Sequence, residues 1–216
     1  MTIQAVSVAD AVADELRRRL LAGVYRGGEQ LRDTELSVEF GVARPTVRAA
    51  VQMLVADGLL ERGRGRSAEV RSFTAEDAVD LYRLRRPIEA AAAALVIAEH
   101  RNLDGIQATV DAFLRIPEGS SWDLVADQDI AFHRAVFVAA GSPRLLRTFD
   151  EVGAELRLLI AQLRPAYASV SDLAAEHAGL LAALRAGNPV RAQAAWTEHF
   201  DDAERFFRTL IQERRP

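Results

Sequence analysis

The run from Leu31 to Gly58, LRDTELSVEFGVARPTVRAAVQMLVADG, constrains this chain more than any other stretch. Its second half places apolar residues at Val47, Ala50, Val51 and Leu54, which share one face of a helix, and a shorter helical segment precedes it across a turn at Gly41. Arg44 and Arg48, four residues apart, are left free on a second face, where two guanidiniums reach phosphates or the guanine edge of a major groove. The pattern implies a helix-turn-helix whose second helix reads DNA, with Arg44, Thr46 and Arg48 as candidate contacts. An ordinary helical hairpin with a basic, solvated face would satisfy the same local spacing.

The flanking segments favour the first reading. Ser7 and Asp10 form a capping arrangement for an earlier helix with Val8, Val12, Leu16 and Leu20 on one side, stopped at Gly23. After Gly58 the periodicity changes, and Leu59 to Arg62 and Ser67 to Arg71 read as two short strands around a Gly-Arg-Gly-Arg tip. Three helices and a β-hairpin make a winged helix, whose tip residues Arg64, Gly65 and Arg66 are candidates for phosphate or minor-groove contact. The run from Leu20 to Leu31, then Glu35-Leu36, Phe40-Gly41-Val42, Arg44, Val47-Arg48, Leu54 and Asp57-Gly58-Leu59, resembles the winged helix of GntR-family bacterial transcriptional regulators. Ala43 departs from the family's usual Ser or Thr, which removes a helix cap worth about 1 kcal/mol. Pro45-Thr46 stands where Thr-Pro is common.

A chain of 216 residues, half of them apolar, can bury two cores, and a domain boundary falls near residue 72: a winged helix over 1–72 and a second domain over 73–216. Net charge is −4, with 11 Arg against 10 acids in the first part and 16 against 21 in the second. Positive charge for DNA must therefore be concentrated locally. The absence of cysteine excludes a disulfide framework and thiolate metal sites. With no long apolar run and no charged leader ahead of an apolar core, the expectation is a soluble cytoplasmic protein without a membrane partner.

From Thr74 every segment reads as helix, six in all, so the second domain is an all-α bundle. The helices expected are Thr74 to about Ala98 with a kink at Pro87, one from Asn102, Trp122 to Ala140, Ser142-Pro143 to near Pro165, one starting at Ser171, and one following Gly187-Asn188-Pro189. Three of their apolar stripes carry histidine. Asp129 and His133 lie one turn apart among Val125, Phe132 and Val136, while His177 sits among Leu173, Leu180 and Leu184, and His199 beside Trp196 and Ala203. His177 and His199 each stand 11 residues from Asn188, so in an antiparallel hairpin turning there both lie roughly 16 Å from the turn. One carboxylate and three imidazoles converging inside a bundle suit a divalent ion such as Zn²⁺ or Ni²⁺, whereas each His alone reads as a hydrogen-bonded core residue.

Asp129-x-x-Phe132-His133, Glu176-His177 and His199 resemble the metal-binding pattern of the FCD ligand-binding domain of the FadR subfamily, and six helices place it with the shorter VanR-like branch. Arg85-x-x-Ile88-Glu89 resembles that domain's first-helix signature. The resemblance implies a small organic acid held at the metal, whose binding alters DNA affinity. Arg85 or Arg134 could clamp its carboxylate; an ion pair such as Arg85 with Glu89 is the bland alternative.

The expectation is a homodimeric transcriptional regulator, not an enzyme, that binds a two-fold-symmetric double-stranded operator and senses a small carboxylate at a metal. One rival keeps the regulator but makes the four polar residues a metal-free network beside a larger or acyl effector. Another is a metal-dependent hydrolase or lyase with a nucleic-acid module.

Overall fold

The computed structural model describes residues 7–63, 67–162 and 169–213, and the chain forms two compact units, Met1–Phe73 and Thr74–Pro216. The first contains α1 (Val8–Leu21), β1 (Gln30–Arg32), α2 (Asp33–Glu39), α3 (Arg44–Ala56), β2 (Leu60–Arg62) and β3 (Ser67–Val70). Ser7 and Asp10 cap α1 reciprocally, Ser7 Oγ accepting from the Asp10 N–H and the Asp10 carboxylate from the Ser7 N–H. Val8 is 61% exposed, so it leaves the expected inward stripe, which begins at Val12 and continues through Leu16 and Leu20. That stripe packs on α3, which buries Val47, Ala50 and Leu54 completely.

Gly41 makes the turn between α2 and α3. At φ +63° it lets the Val42 N–H return to the Ser37 carbonyl at 3.1 Å, which satisfies an orphan carbonyl of α2 and stops the helix. The sheet has the order β1-β3-β2, with Leu31 opposite Ala68 and Leu60 opposite Val70. All four are buried, so the strands present an apolar inner face to the helices. The expected two-stranded hairpin is thus corrected to three strands. β1, three residues long, is too short to show a period and exists only because β3 supplies its partner.

The second unit contains α4 (Ala75–Ala98), α5 (Asp104–Phe113), α6 (Trp122–Ala140), α7 (Pro143–Gln162), α8 (Val170–Arg185) and α9 (Pro189–Glu213). A reciprocal Thr74/Asp77 cap starts α4, which continues through Pro87. Ser169, not Ser171, caps α8, its hydroxyl accepting from the Asp172 N–H at 2.9 Å. Two serines two residues apart fit the same sequence pattern, and only the acid three residues on selects the first. Gly187, at φ +62°, closes α8, and Asn188 Oδ1 accepts from the N–H groups of Val190 and Arg191 to open α9. α8 and α9 therefore turn back on each other, and α4 touches α6, α8 and α9. Among the phenylalanines of this unit, Phe113, Phe132, Phe137, Phe149 and Phe200 are fully buried, each contributing about 1.5–3 kcal/mol of apolar burial. Between α4, α6, α8 and α9 the core turns polar.

Candidate metal centre and nucleic-acid interface

Among the described residues of the helical unit, six polar or charged side chains are buried: Arg85 and Glu89 on α4, Asp129 and His133 on α6, His177 on α8 and His199 on α9. Spacing of four residues puts each α4 and α6 pair on one helix face, and the turn at Gly187-Asn188 sets His177 and His199 beside each other. The three imidazole centroids are pairwise 5.2 Å apart, and one nitrogen from each ring lies within 4.8 Å of the other two. Asp129 Oδ1 stands 3.1 Å from His177 Nε2 and 3.9 Å from His133 Nε2.

The outer nitrogens fix the tautomers. The Leu173 carbonyl, 2.7 Å from His177 Nδ1, can only accept, so that nitrogen carries a proton. Glu89 Oε2 lies 2.7 Å from His133 Nδ1, and neither atom has another partner. Burial alone would raise the Glu89 carboxyl, but the Arg85 guanidinium holds it well below the usual carboxylate range, so it accepts the His133 proton. Burial pushes His133 down to about 4 against the pull of Glu89, leaving its ring neutral. Burial would likewise raise Asp129; its contact with His177 and the neighbouring charges hold it below its ordinary range. With a proton on Nδ1 of each ring and none on Nε2, the Nε2 atoms of His133 and His177 face each other at 3.3 Å with a carboxylate oxygen beside them. Three electron-pair donors converging in a buried space repel unless a cation or an additional proton lies among them. The donor set of three imidazoles and one carboxylate fits a borderline divalent metal, and the protonated Nδ1 atoms are the orientation such ligands require. His199 Nδ1 has only a distant neighbour, Glu176 Oε2 at 3.5 Å, and makes no hydrogen bond.

Arg85 closes the arrangement from the α4 side. Its Nε donates to Glu89 Oε1 at 2.8 Å, and its guanidinium carbon lies 5.0 Å over the Tyr82 ring and 5.4 Å over Phe200. Its Nη2 is buried without a hydrogen-bond partner. Arg134 does not join this cluster. One residue after His133, it is rotated by about 100° around α6 and forms a forked pair with Asp150 of α7, at 2.8 and 3.1 Å, with half its side chain in solvent. Glu89 is the participant that the sequence reading assigned only to an intrahelical pair with Arg85. Its signal was weak, because a charged pair four residues apart fits either face of α4, whose Ala91 and Ala94 are exposed while Ala92 and Ala93 are buried.

In the first unit, Arg44 is exposed at the start of α3 and Thr46 is half-buried in its first turn. Ala43 gives no side-chain cap, and Pro45 lies in the first turn. Arg48 is not free: its Nε donates to Asp33 Oδ2 at 2.7 Å. A groove of about 290 Å³ runs over this pair, between Arg32, Thr34, Arg44 and Ser67. Arg64, Gly65 and Arg66 lie outside the described residues.

Comparison with known proteins places both sites in context. The profile of bacterial regulatory proteins of the gntR family matches residues 8–70, and that of the FCD domain matches residues 80–202. The chain is 28% identical over 194 residues, 89% of its length and 85% of the relative's, to a protein of Paenarthrobacter nicotinovorans named "Probable D-xylose utilization operon transcriptional repressor". A GntR transcriptional regulator from Rhodococcus sp. RHA1 superposes with a TM-score of 0.80 at 27% identity, over 96% of this chain and 99% of that one. Escherichia coli McbR/YncC shares the fold, with a TM-score of 0.72 at 18% identity over 95% and 99% of the two chains.

Proposed function

The chain belongs to the gntR family of bacterial regulatory proteins and carries an FCD domain, and from that premise we propose a cytoplasmic, homodimeric regulator that senses a small organic acid at a metal. Membership sets aside the hydrolase or lyase reading, because the family and the relatives are transcriptional regulators. No helix among the described residues is long and apolar enough to cross a membrane, which is consistent with this reading. Residues 1–72 bind DNA through Arg44, Thr46, Arg48 and the wing-tip residues Arg64, Gly65 and Arg66. Two copies engage the two half-sites of a symmetric operator, the arrangement that a single short recognition helix requires for selectivity.

Residues 73–216 hold the sensor. Asp129, His133, His177 and His199 bind a divalent ion, Zn²⁺ or Ni²⁺, and the ion supplies a Lewis-acidic position for an anionic effector. Arg85 offers its unpaired Nη2 to the effector's carboxylate. The observation that carries this reading is the pair of facing Nε2 atoms, 3.3 Å apart beside Asp129, in rings whose outer nitrogens are already committed. The contact of His177 Nε2 with Asp129 Oδ1 at 3.1 Å also supports a second reading, in which a proton on that nitrogen replaces the metal and the effector is larger.

Metal analysis of untagged protein purified without chelator separates the two, with His177→Ala/His199→Ala as the comparison. Near-stoichiometric divalent metal that is lost in the double variant supports the metal site. Absence of metal after reconstitution with Zn²⁺ and with Ni²⁺ leaves the proton-bridged network.

A further inference from the structure

Among the described residues of the first unit, Asp33 is the one buried charged side chain, at 8% exposure. It opens α2, where a negative charge is favoured by the helix N-terminus, and it is not on the helix that faces DNA. Its carboxylate nevertheless reaches fifteen residues along the chain to Arg48, whose own side chain remains 47% exposed. A buried acid next to a surface offered to a polyanion weakens general DNA affinity through charge repulsion. Packing alone would be served equally well by a neutral residue.

We infer that Asp33 is a positioning residue for DNA specificity: by taking Arg48 Nε it fixes the guanidinium plane and leaves the two Nη groups to reach the duplex end-on. The inference rests on the reading of Arg48 as a DNA contact. An arginine reads guanine by placing two donors on O6 and N7 together, which requires a defined plane as well as a charge. A guanidinium free to rotate meets any phosphate; one held by Nε in the groove between Arg44 and Thr34 meets a base edge in one orientation. Holding the side chain also removes rotamer entropy that an unrestrained Arg would lose only on binding. The carboxylate adds a second discrimination, because it disfavours the loose phosphate contacts through which non-cognate DNA is held.

This assigns Asp33 an effect opposite in sign on the two classes of DNA. A pool of random-sequence duplexes enriched on the wild-type chain supplies the selected duplex, and a scrambled duplex of the same composition supplies the reference. Asp33→Ala should bind the scrambled duplex more tightly than wild type and the selected one more weakly, lowering their affinity ratio by about tenfold, the worth of one bidentate base contact. Asp33→Asn keeps an acceptor for Nε and should fall between the two, and it serves as the test if Asp33→Ala does not fold. With Arg48→Ala present, Asp33→Ala should leave the ratio unchanged. Unchanged ratios in both Asp33 variants overturn the proposal, as does an equal loss of ratio in the Arg48→Ala background. Failure of the wild-type chain to enrich any sequence overturns the reading of Arg48 as well.

Discussion

Glu89 of α4 and His133 of α6 meet through Oε2 and Nδ1 at 2.7 Å, both fully buried, and Arg85 holds the other carboxylate oxygen at 2.8 Å. The three residues form a line in which a guanidinium orients a carboxylate and the carboxylate orients an imidazole. At one end stands Arg85 Nη2, buried without a hydrogen-bond partner, and at the other His133 Nε2, 3.3 Å from His177 Nε2.

Replacement of Glu89 by Gln tests the inner part of that line. The amide can still accept from His133 Nδ1, but it carries no charge to raise the basicity of the ring or to balance Arg85. Metal affinity, read by competition with a chromophoric chelator, should fall by about 10- to 100-fold, as for other partners of metal-binding histidines. Stability should fall by about 3–5 kcal/mol in urea titration, since a buried guanidinium is left uncompensated. Unchanged metal affinity would show that His133 is oriented by packing alone.

Arg85→Met tests the outer part. Methionine occupies similar volume between Tyr82 and Phe200 but offers no donor. Binding of small mono- and dicarboxylates to the metal-loaded protein, followed by calorimetry, should weaken by about 10- to 150-fold, the worth of a charge-assisted hydrogen bond of about 1.5–3 kcal/mol. Loss of the pair also leaves Glu89 alone in the core, so the comparison is made with Glu89→Gln/Arg85→Met, in which neither charge remains. Equal carboxylate affinity in that double variant and in Glu89→Gln would remove Arg85 from the effector site.

What the sequence made legible follows from how local each signal is. The helix of Val47, Ala50 and Leu54, the caps at Ser7 and Thr74, and the polar residues on the α6, α8 and α9 stripes are all encoded within one or two turns. The alternation between apolar faces and single polar intrusions is therefore visible without the fold. β1 and the Asp33–Arg48 pair depend on partners many residues away and leave no periodic trace. Arg134 illustrates the converse case, in which the ion-pair alternative is the contact seen. Its neighbour His133 points inward, and one step of helix rotation was enough to send Arg134 to Asp150. The hydrogen bond of His177 to the Leu173 carbonyl, four residues earlier, is local in sequence but depends on a side-chain rotamer, which composition and spacing do not determine.

Glu118, in the loop before α6, predicts a pH dependence. Its carboxylate accepts from the N–H groups of Ser171 at 2.8 Å and Val170 at 3.2 Å, at the exposed start of α8. The Ser171 backbone hydrogen bond, then its side chain and the Val170 N–H, hold the Glu118 carboxyl below its ordinary 4.5. A carboxyl lowered in the folded state contributes stability that is present above pH 4.5 and is lost as pH falls through the lower folded value. The melting temperature of Glu118→Gln should therefore lie below that of wild type at pH 7, and the gap should close as the pH is taken down from 4.5 through the lowered folded value. A gap independent of pH would mean that the carboxylate charge contributes nothing at this helix start.

Gly41 gives the simplest test of the first unit. At φ +63° it occupies the left-handed region, and a Cβ built there meets nothing within 4 Å. Alanine would therefore create no clash, and its effect isolates the backbone cost of a left-handed L-residue, about 1–2 kcal/mol. Gly41→Ala should lower the unfolding free energy of the first unit by that amount in urea titration. Asn, which tolerates the same region by bonding to its own backbone, should recover part of it. If instead alanine were neutral, the turn between α2 and α3 would have to adopt a second closure, and the direction in which α3 leaves the turn would no longer be set by this glycine.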